Sequence, residues 1–161
     1  MKQIRRNVFE TNSSSTHSFS LCKGTYNDLS VDYDGYVHTQ LGEFGWEIED
    51  YFDSTSKLAY ILLVAAHFSD HSFYYFRQDS SWEEEWELFK ETDEFKDIED
   101  AVKSHMNCAG IIVDEGSEGY IDHQSLENYY SLTDWLSWTG ADSIEDFIFG
   151  RVVLHTDNDN H

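Results

Sequence analysis

The sequence predicts an α+β fold in one domain spanning residues 1–161, with a mixed or antiparallel sheet and several helices. Three observations predict it. Apolar and polar residues alternate with period two near the N-terminus, as in a half-buried strand. In the middle of the chain, apolar residues recur at helical spacing behind recognisable caps. The order of these signals, strands first, helices next and a closing β-α-α-β portion, is that of α+β architecture rather than alternating βα units.

Lys2 to Phe9 reads as a strand with Ile4, Val8 and Phe9 as its apolar members. Thr11 to Ser15 is a polar turn. His17 to Cys22 alternates Phe19 and Leu21 against Ser18 and Ser20, a second strand able to form a hairpin with the first. Leu29 to Asp34 and Gly35 to Gln40 are short strand candidates, and Gly42 and Gly45 interrupt the chain before Trp46 to Ile48. Asp53 or Ser54 caps a helix running to about His67, whose Leu58, Ile61, Leu62 and Ala65 share a face. Ser72 to Phe76 is β-prone through its aromatic content. Ser81 with Glu84 is a capping-box pair opening a helical region that reaches about Lys103. That region carries a first stripe of Trp82, Trp86 and Phe89 and, after Thr92, a second of Phe95, Ile98 and Val102. Ile111 to Val113 and Gly119 to His123 are strands. Ser131 with Asp134 and Ser143 with Asp146 cap two short helices, Val152 to His155 is a last strand, and Asp157 to His161 is a polar tail.

Composition bounds the function. Hydrophobic residues make up 40% and aromatics 16%, enough for a real core and unlike a disordered chain. Thirty-two acids face ten lysines and arginines, a formal charge of -22. Such a charge opposes direct contact with nucleic acid and with anionic membrane surfaces, and it suits a cationic partner. Cys22 and Cys108 do not make a disulfide framework. The longest apolar run, Leu58 to Phe68, is far short of the roughly 20 residues of a membrane helix. The basic start, Met1 to Arg6, is not followed by a hydrophobic signal region, so the expected location is the cytoplasm.

The acids are densest from Asp79 to Asp100, where eleven carboxylates face Lys90 and Lys96. On one helix, Glu83, Glu87 and Glu91 would form a row, with Glu84 one step around from it. Asp93, Glu94 and Asp97 extend the acidic surface. A row of carboxylates on a rigid element can occupy a groove built to grip phosphates, and these seven residues are the expected partner-binding set. The same run is also consistent with a solvated helix face. Further acid groups lie at Asp32 to Asp53, Asp114 to Glu118 and Asp134 to Asp146.

A second constellation carries nucleophile-base chemistry. Glu10 precedes Thr11-Asn12-Ser13-Ser14-Ser15-Thr16-His17-Ser18. Ser14 or Ser15 beside His17, gathered with His123 and Asp157, would make a small enzyme site. A polar loop with local side-chain-to-backbone bonds explains the same residues. His67 and His71, four apart, would share a metal only on a continuous helix, and His155 with Asp157 and Asp159 offers cation ligands without a diagnostic spacing. There is no Gly-rich phosphate loop, CxxC pair or HExxH motif, so no cofactor or metal is expected.

The stretch Arg5-Arg6-Asn7-Val8-Phe9-Glu10-Thr11-Asn12-Ser13-Ser14-Ser15-Thr16-His17-Ser18 resembles the start of uncharacterised small proteins of bacteriophages and Firmicutes prophages. Gly119 to Ser125 and Asp146 to Phe149 resemble parts of the same family. The overall acidity is similar to that of phage DNA-mimic proteins. The resemblance implies a source in a phage or its host, and no catalytic residues. Together with the charge, it leads to the expectation of a non-enzymatic inhibitor of a basic, nucleic-acid-binding host defence protein such as a CRISPR or restriction nuclease.

Overall fold

The computed structural model describes residues 17–24, 26–45, 48–73, 81–122 and 125–156. The expected strand Lys2 to Phe9 and turn Thr11 to Ser15 lie outside the described residues. So do most of Ser72 to Phe76 and the tail from Asp157. The elements are β1 (Ser18–Leu21), β2 (Tyr36–Thr39), β3 (Glu43–Phe44), β4 (Glu49–Tyr51), α1 (Ser54–Phe68), α2 (Trp82–Lys90), α3 (Asp93–Met106), β5 (Gly110–Val113), β6 (Tyr120–Ile121), α4 (Leu132–Thr139), α5 (Ile144–Phe149) and β7 (Val152–Thr156). The fold is α+β, as the sequence predicts.

α1 starts where a carboxylate can hold an orphan amide: Asp53 Oδ1 accepts from the Ser56 N–H at 2.7 Å. The helix is not amphipathic in the expected sense. Residues from Lys57 to Ala66 are buried on every face, so α1 is the central rod about which the other elements pack. Lys57 is fully enclosed. Its ammonium donates to the Gly150 and Val152 carbonyls at 3.2 and 3.4 Å, tying α1 to the turn between α5 and β7, and burial pushes its pKa down.

The strands form small sheets of mixed sense. β7 lies between β1 and β4, antiparallel to both, while β2 pairs with β5 and β3 with β6 in parallel. The first described strand is therefore closed by the last one. Leu29 to Asp34 is not a strand, since only Val31 makes an isolated bridge, to Val37. Gly119 fits between β6 and the rest because it has no side chain. A Cβ there would stand 2.5 Å from Leu41 Cβ and 2.7 Å from Leu63 Cδ2.

The expected single helix from Ser81 to about Lys103 is two helices. α2 ends at Lys90, and Thr92 has extended backbone (φ -71°, ψ 152°) with its hydroxyl accepting from the Phe95 N–H at 3.2 Å. Thr92 is thus the N-cap of a new helix. The two apolar stripes then fold onto one aromatic cluster. Trp86 and Phe89 pack edge-on against Phe95, with ring centroids 5.2 and 5.4 Å apart, and Phe73 meets Trp82, Trp86 and Phe89.

Candidate functional site

α2 is held by a complete capping box. Ser81 Oγ accepts from the Glu84 N–H, and Glu84 Oε2 accepts from the Ser81 N–H at 3.2 Å. With Trp82, Trp86 and Phe89 buried, Glu83, Glu84 and Glu87 are fixed on the exposed side. The Ser81 hydroxyl, and then its own backbone amide, hold the Glu83 carboxyl below the usual carboxylate range.

The helix break alters the expected row. Glu91 is not a further step along α2 but its C-cap, and Asp93, Glu94 and Asp97 belong to α3, on a different axis. Both lysines of the segment are paired with row members, Lys90 with Glu87 at 2.7 Å and Lys96 with Glu91 at 3.4 Å. Glu85 departs furthest from a solvated face. It is buried, and its Oε2 meets His71 Nδ1 at 2.8 Å.

Acids of α2, of the turn between β5 and β6 and of the loop before β2, separate in sequence, come together in space. Trp82 Nε1 donates to the Ser117 carbonyl at 3.0 Å, which seats the turn between β5 and β6, with its exposed Glu115 and Glu118, against the start of α2. One turn residue away, Asp114 approaches His38 Nδ1 at 3.3 Å, while His38 Nε2 meets Asp32 at 2.8 Å. The result is an acidic band running from α2 across the 114–118 turn to the loop before β2.

Histidine side chains meet several of the carboxylates. Among the described residues, His38 lies between Asp32 and Asp114, His71 on Glu85, His105 on Glu145 at 2.9 Å, and His155 on Asp50. Hydrogen bonds to Asp114 and then Asp32 raise the His38 pKa above its ordinary value. His67 and His71 do not share a helix face, because α1 ends at Phe68 and Asp70 takes left-handed backbone (φ 61°). Both border a cavity of about 150 Å³, in which His71 is oriented by Glu85. No group of three His, Cys, Asp or Glu suited to a metal occurs among the described residues, and Cys22 and Cys108 are free thiols.

Of the six residues of the expected enzyme site, Glu10, Ser14, Ser15, His123 and Asp157 lie outside the described residues. His17 is described and is turned inward. Its Nδ1 lies 2.6 Å from the hydroxyl of the fully buried Tyr60. Its Nε2 is buried without a partner among the described residues. Burial, only partly opposed by Asp122, pushes the His17 pKa down to about 4. A ring so weakly basic is a poor general base near neutral pH.

No family model matches the sequence, and no curated protein or solved structure matches it. No helix among the described residues is long and apolar enough to cross a membrane.

Proposed function

We propose that the protein is an acidic inhibitor of the DNA-mimic type, which occupies the phosphate-binding groove of a basic nucleic-acid-binding protein. The phage resemblance of the N-terminal stretch points to a host defence enzyme, a CRISPR or restriction nuclease, as the partner, met in the bacterial cytoplasm. The reading rests on one observation: the acidic band is built on a rigid support. Glu83, Glu84 and Glu87 project from a capped helix whose other face is anchored by Trp82, Trp86 and Phe89, and the turn that carries Glu115 is seated against the start of that helix. Carboxylates one helical turn apart stand about 5–6 Å from one another, the same scale as phosphate charge along a strand of DNA, about 3.4 Å of axis per charge. A chain with a formal charge of -22 is steered towards a basic groove, and the steering weakens as salt screens it.

The test is displacement of fluorescent duplex DNA from an RNA-loaded CRISPR nuclease and from a restriction endonuclease, at about 0.05 to 0.5 M salt. The expected result is inhibition that weakens steeply with salt, with Glu83→Lys/Glu87→Lys at least about tenfold weaker at low salt. Inhibition independent of salt and untouched by the double reversal would sink the mimicry.

A further inference from the structure

The outer face of the three-stranded sheet holds a serine, an imidazole and a carboxylate in hydrogen-bonded sequence. Ser20 Oγ lies 2.5 Å from His155 Nε2, and His155 Nδ1 is bonded to Asp50 Oδ1. The three come from β1, β7 and β4, distant in sequence and adjacent only through strand pairing. Register explains the geometry. The Cys22 N–H donates to the Arg151 carbonyl at 3.0 Å, so by alternation Ser20 with Val153 and Ser18 with His155 are hydrogen-bonded pairs. His155 therefore directs its backbone polar groups to β1, and its pair with Asp50 on β4 is of the non-hydrogen-bonded kind, in which side chains stand closest. Phe19, Leu154 and Tyr51 take the opposite face and pack on the core. Ser20 is exposed and Asp50 half-exposed, so the constellation opens to solvent.

We infer that Ser20, His155 and Asp50 form a nucleophile-base-orienter triad that hydrolyses carboxylic esters, an activity separate from partner binding. Such triads are recognised by geometry and roles, not by chain order. Asp50 accepts from Nδ1–H and so leaves Nε2 unprotonated to receive the Ser20 proton. Ser20 Oγ then bonds to the ester carbonyl carbon while its proton moves to Nε2. As the carbon–oxygen bond breaks, the alcohol leaves with that proton, giving acyl-Ser20. Water adds to the acyl carbon, gives one proton to Nε2, and the acid departs as Ser20 recovers its own. The net change is ester plus water to acid plus alcohol. The same alternation that pairs Ser20 with Val153 turns the Leu21 amide away from β7, which makes the N–H next in chain after the nucleophile the donor for the developing oxyanion.

The surroundings select the substrate class. Glu49 and Asp53 flank Asp50 within a chain of strong negative charge, which disfavours anionic acyl donors, whereas Ile48 offers an exposed apolar contact beside β4. The substrate is a neutral or cationic ester, reached from the exposed side of Ser20 and Asp50, since Val153 beside Ser20 on the same face is buried.

The experiment uses the full chain with p-nitrophenyl acetate and with a fluorophosphonate probe, followed by peptide mapping. Expected are acetyl and phosphonyl adducts on Ser20, absent in Ser20→Ala, with labelling and turnover about 10²–10⁴-fold slower in His155→Gln and slowed in Asp50→Asn. All three positions lie on the sheet's outer face, and unchanged far-UV circular dichroism shows that the variants fold. Adducts on residues other than Ser20 alone, or Ser20 labelling at the same rate in His155→Gln, would overturn the assignment.

Discussion

His17 gives the fold an acid-labile point whose size follows from its burial. In the unfolded chain this ring binds a proton near pH 6.5, and in the folded protein only near 4, because burial disfavours the imidazolium. Between those values the unfolded state holds more protons, so stability rises with pH across the window. The contribution is complete above about pH 6.5 and lost as the pH falls through about 4. At about 1.4 kcal/mol per tenfold change in acidity, the difference amounts to about 3 kcal/mol, an upper bound because the ring retains some solvent contact. A competing trend has the opposite sign: protonating some of the 32 carboxylates relieves repulsion and favours the compact state. Comparison with His17→Gln separates the two, since the amide can still bond the Tyr60 hydroxyl but does not titrate, and the carboxylate effect is common to both proteins. Urea unfolding followed by tryptophan fluorescence at pH 7, 6, 5 and 4 and constant ionic strength provides the measurement. The stability of the wild type relative to the variant should fall by about 2–3 kcal/mol from pH 7 to 4. Parallel profiles would refute the assignment of a buried neutral imidazole.

Three further outcomes are expected. Gly119→Ala forces a methyl group onto Leu41 and Leu63 and should cost about 1–3 kcal/mol, read as a lower urea midpoint at unchanged slope. Phe89→Ala removes a fully buried ring at the centre of the aromatic cluster and should cost about 3–5 kcal/mol in the same assay. His38 has the opposite sign from His17: its raised pKa adds stability that is present below about pH 6.5 and lost as the pH rises through the folded value. Asp114→Asn, which removes the largest cause of that rise, should bring the imidazole's NMR titration midpoint down towards 6.5.

The helices were legible because their start signals are local. Asp53, Ser81, Ser131 and Ser143 each cap the helix that follows within three residues, and each side chain does accept the expected amide. The break at Thr92 had a signal too, a cap residue restarting the apolar stripe, but the unbroken run of acids masked it. Glu85 could have been found inside: it stands three residues after Trp82 and four before Phe89, on the apolar face of α2. The sheets were not legible. β1 and β7 lie at opposite ends of the described chain, and period two fixes which face a strand buries but not which partner it takes. The same limit hid Ser20, His155 and Asp50. The sequence offered His155 only its neighbours Asp157 and Asp159, whereas pairing gives it Asp50. Lys57 follows the polar Ser54-Thr55-Ser56 at the start of α1 with nothing nearby to mark it as buried, because its carbonyl partners come from the far end of the chain.

The break at Thr92 also resolves how so many carboxylates are tolerated. In one long helix, Asp93, Glu94 and Asp97 would follow the acids of α2 on a common axis and accumulate towards the negative end of its dipole. Two helices supply two positive N-termini. Glu83, Glu84 and Glu85 fall in the first turn of α2 and Asp93 and Glu94 in that of α3, while Lys90 closes α2 and Lys103 and His105 close α3. Each such placement stabilises by about 0.3–1 kcal/mol, comparable to or larger than the few tenths lost per like-charged neighbour. The short helices repeat the pattern, with Asp134 at the start of α4 and Glu145 and Asp146 at the start of α5. Thr92→Ala tests this directly. It should cost about 1 kcal/mol at low salt through the lost cap, beyond what helix propensity gives back. Because Asp93 and Glu94 then face a frayed N-terminus, the cost should shrink in high salt. A Thr92→Ala protein as stable as the wild type, with the same salt dependence, would mean that the break plays no part in holding the acids.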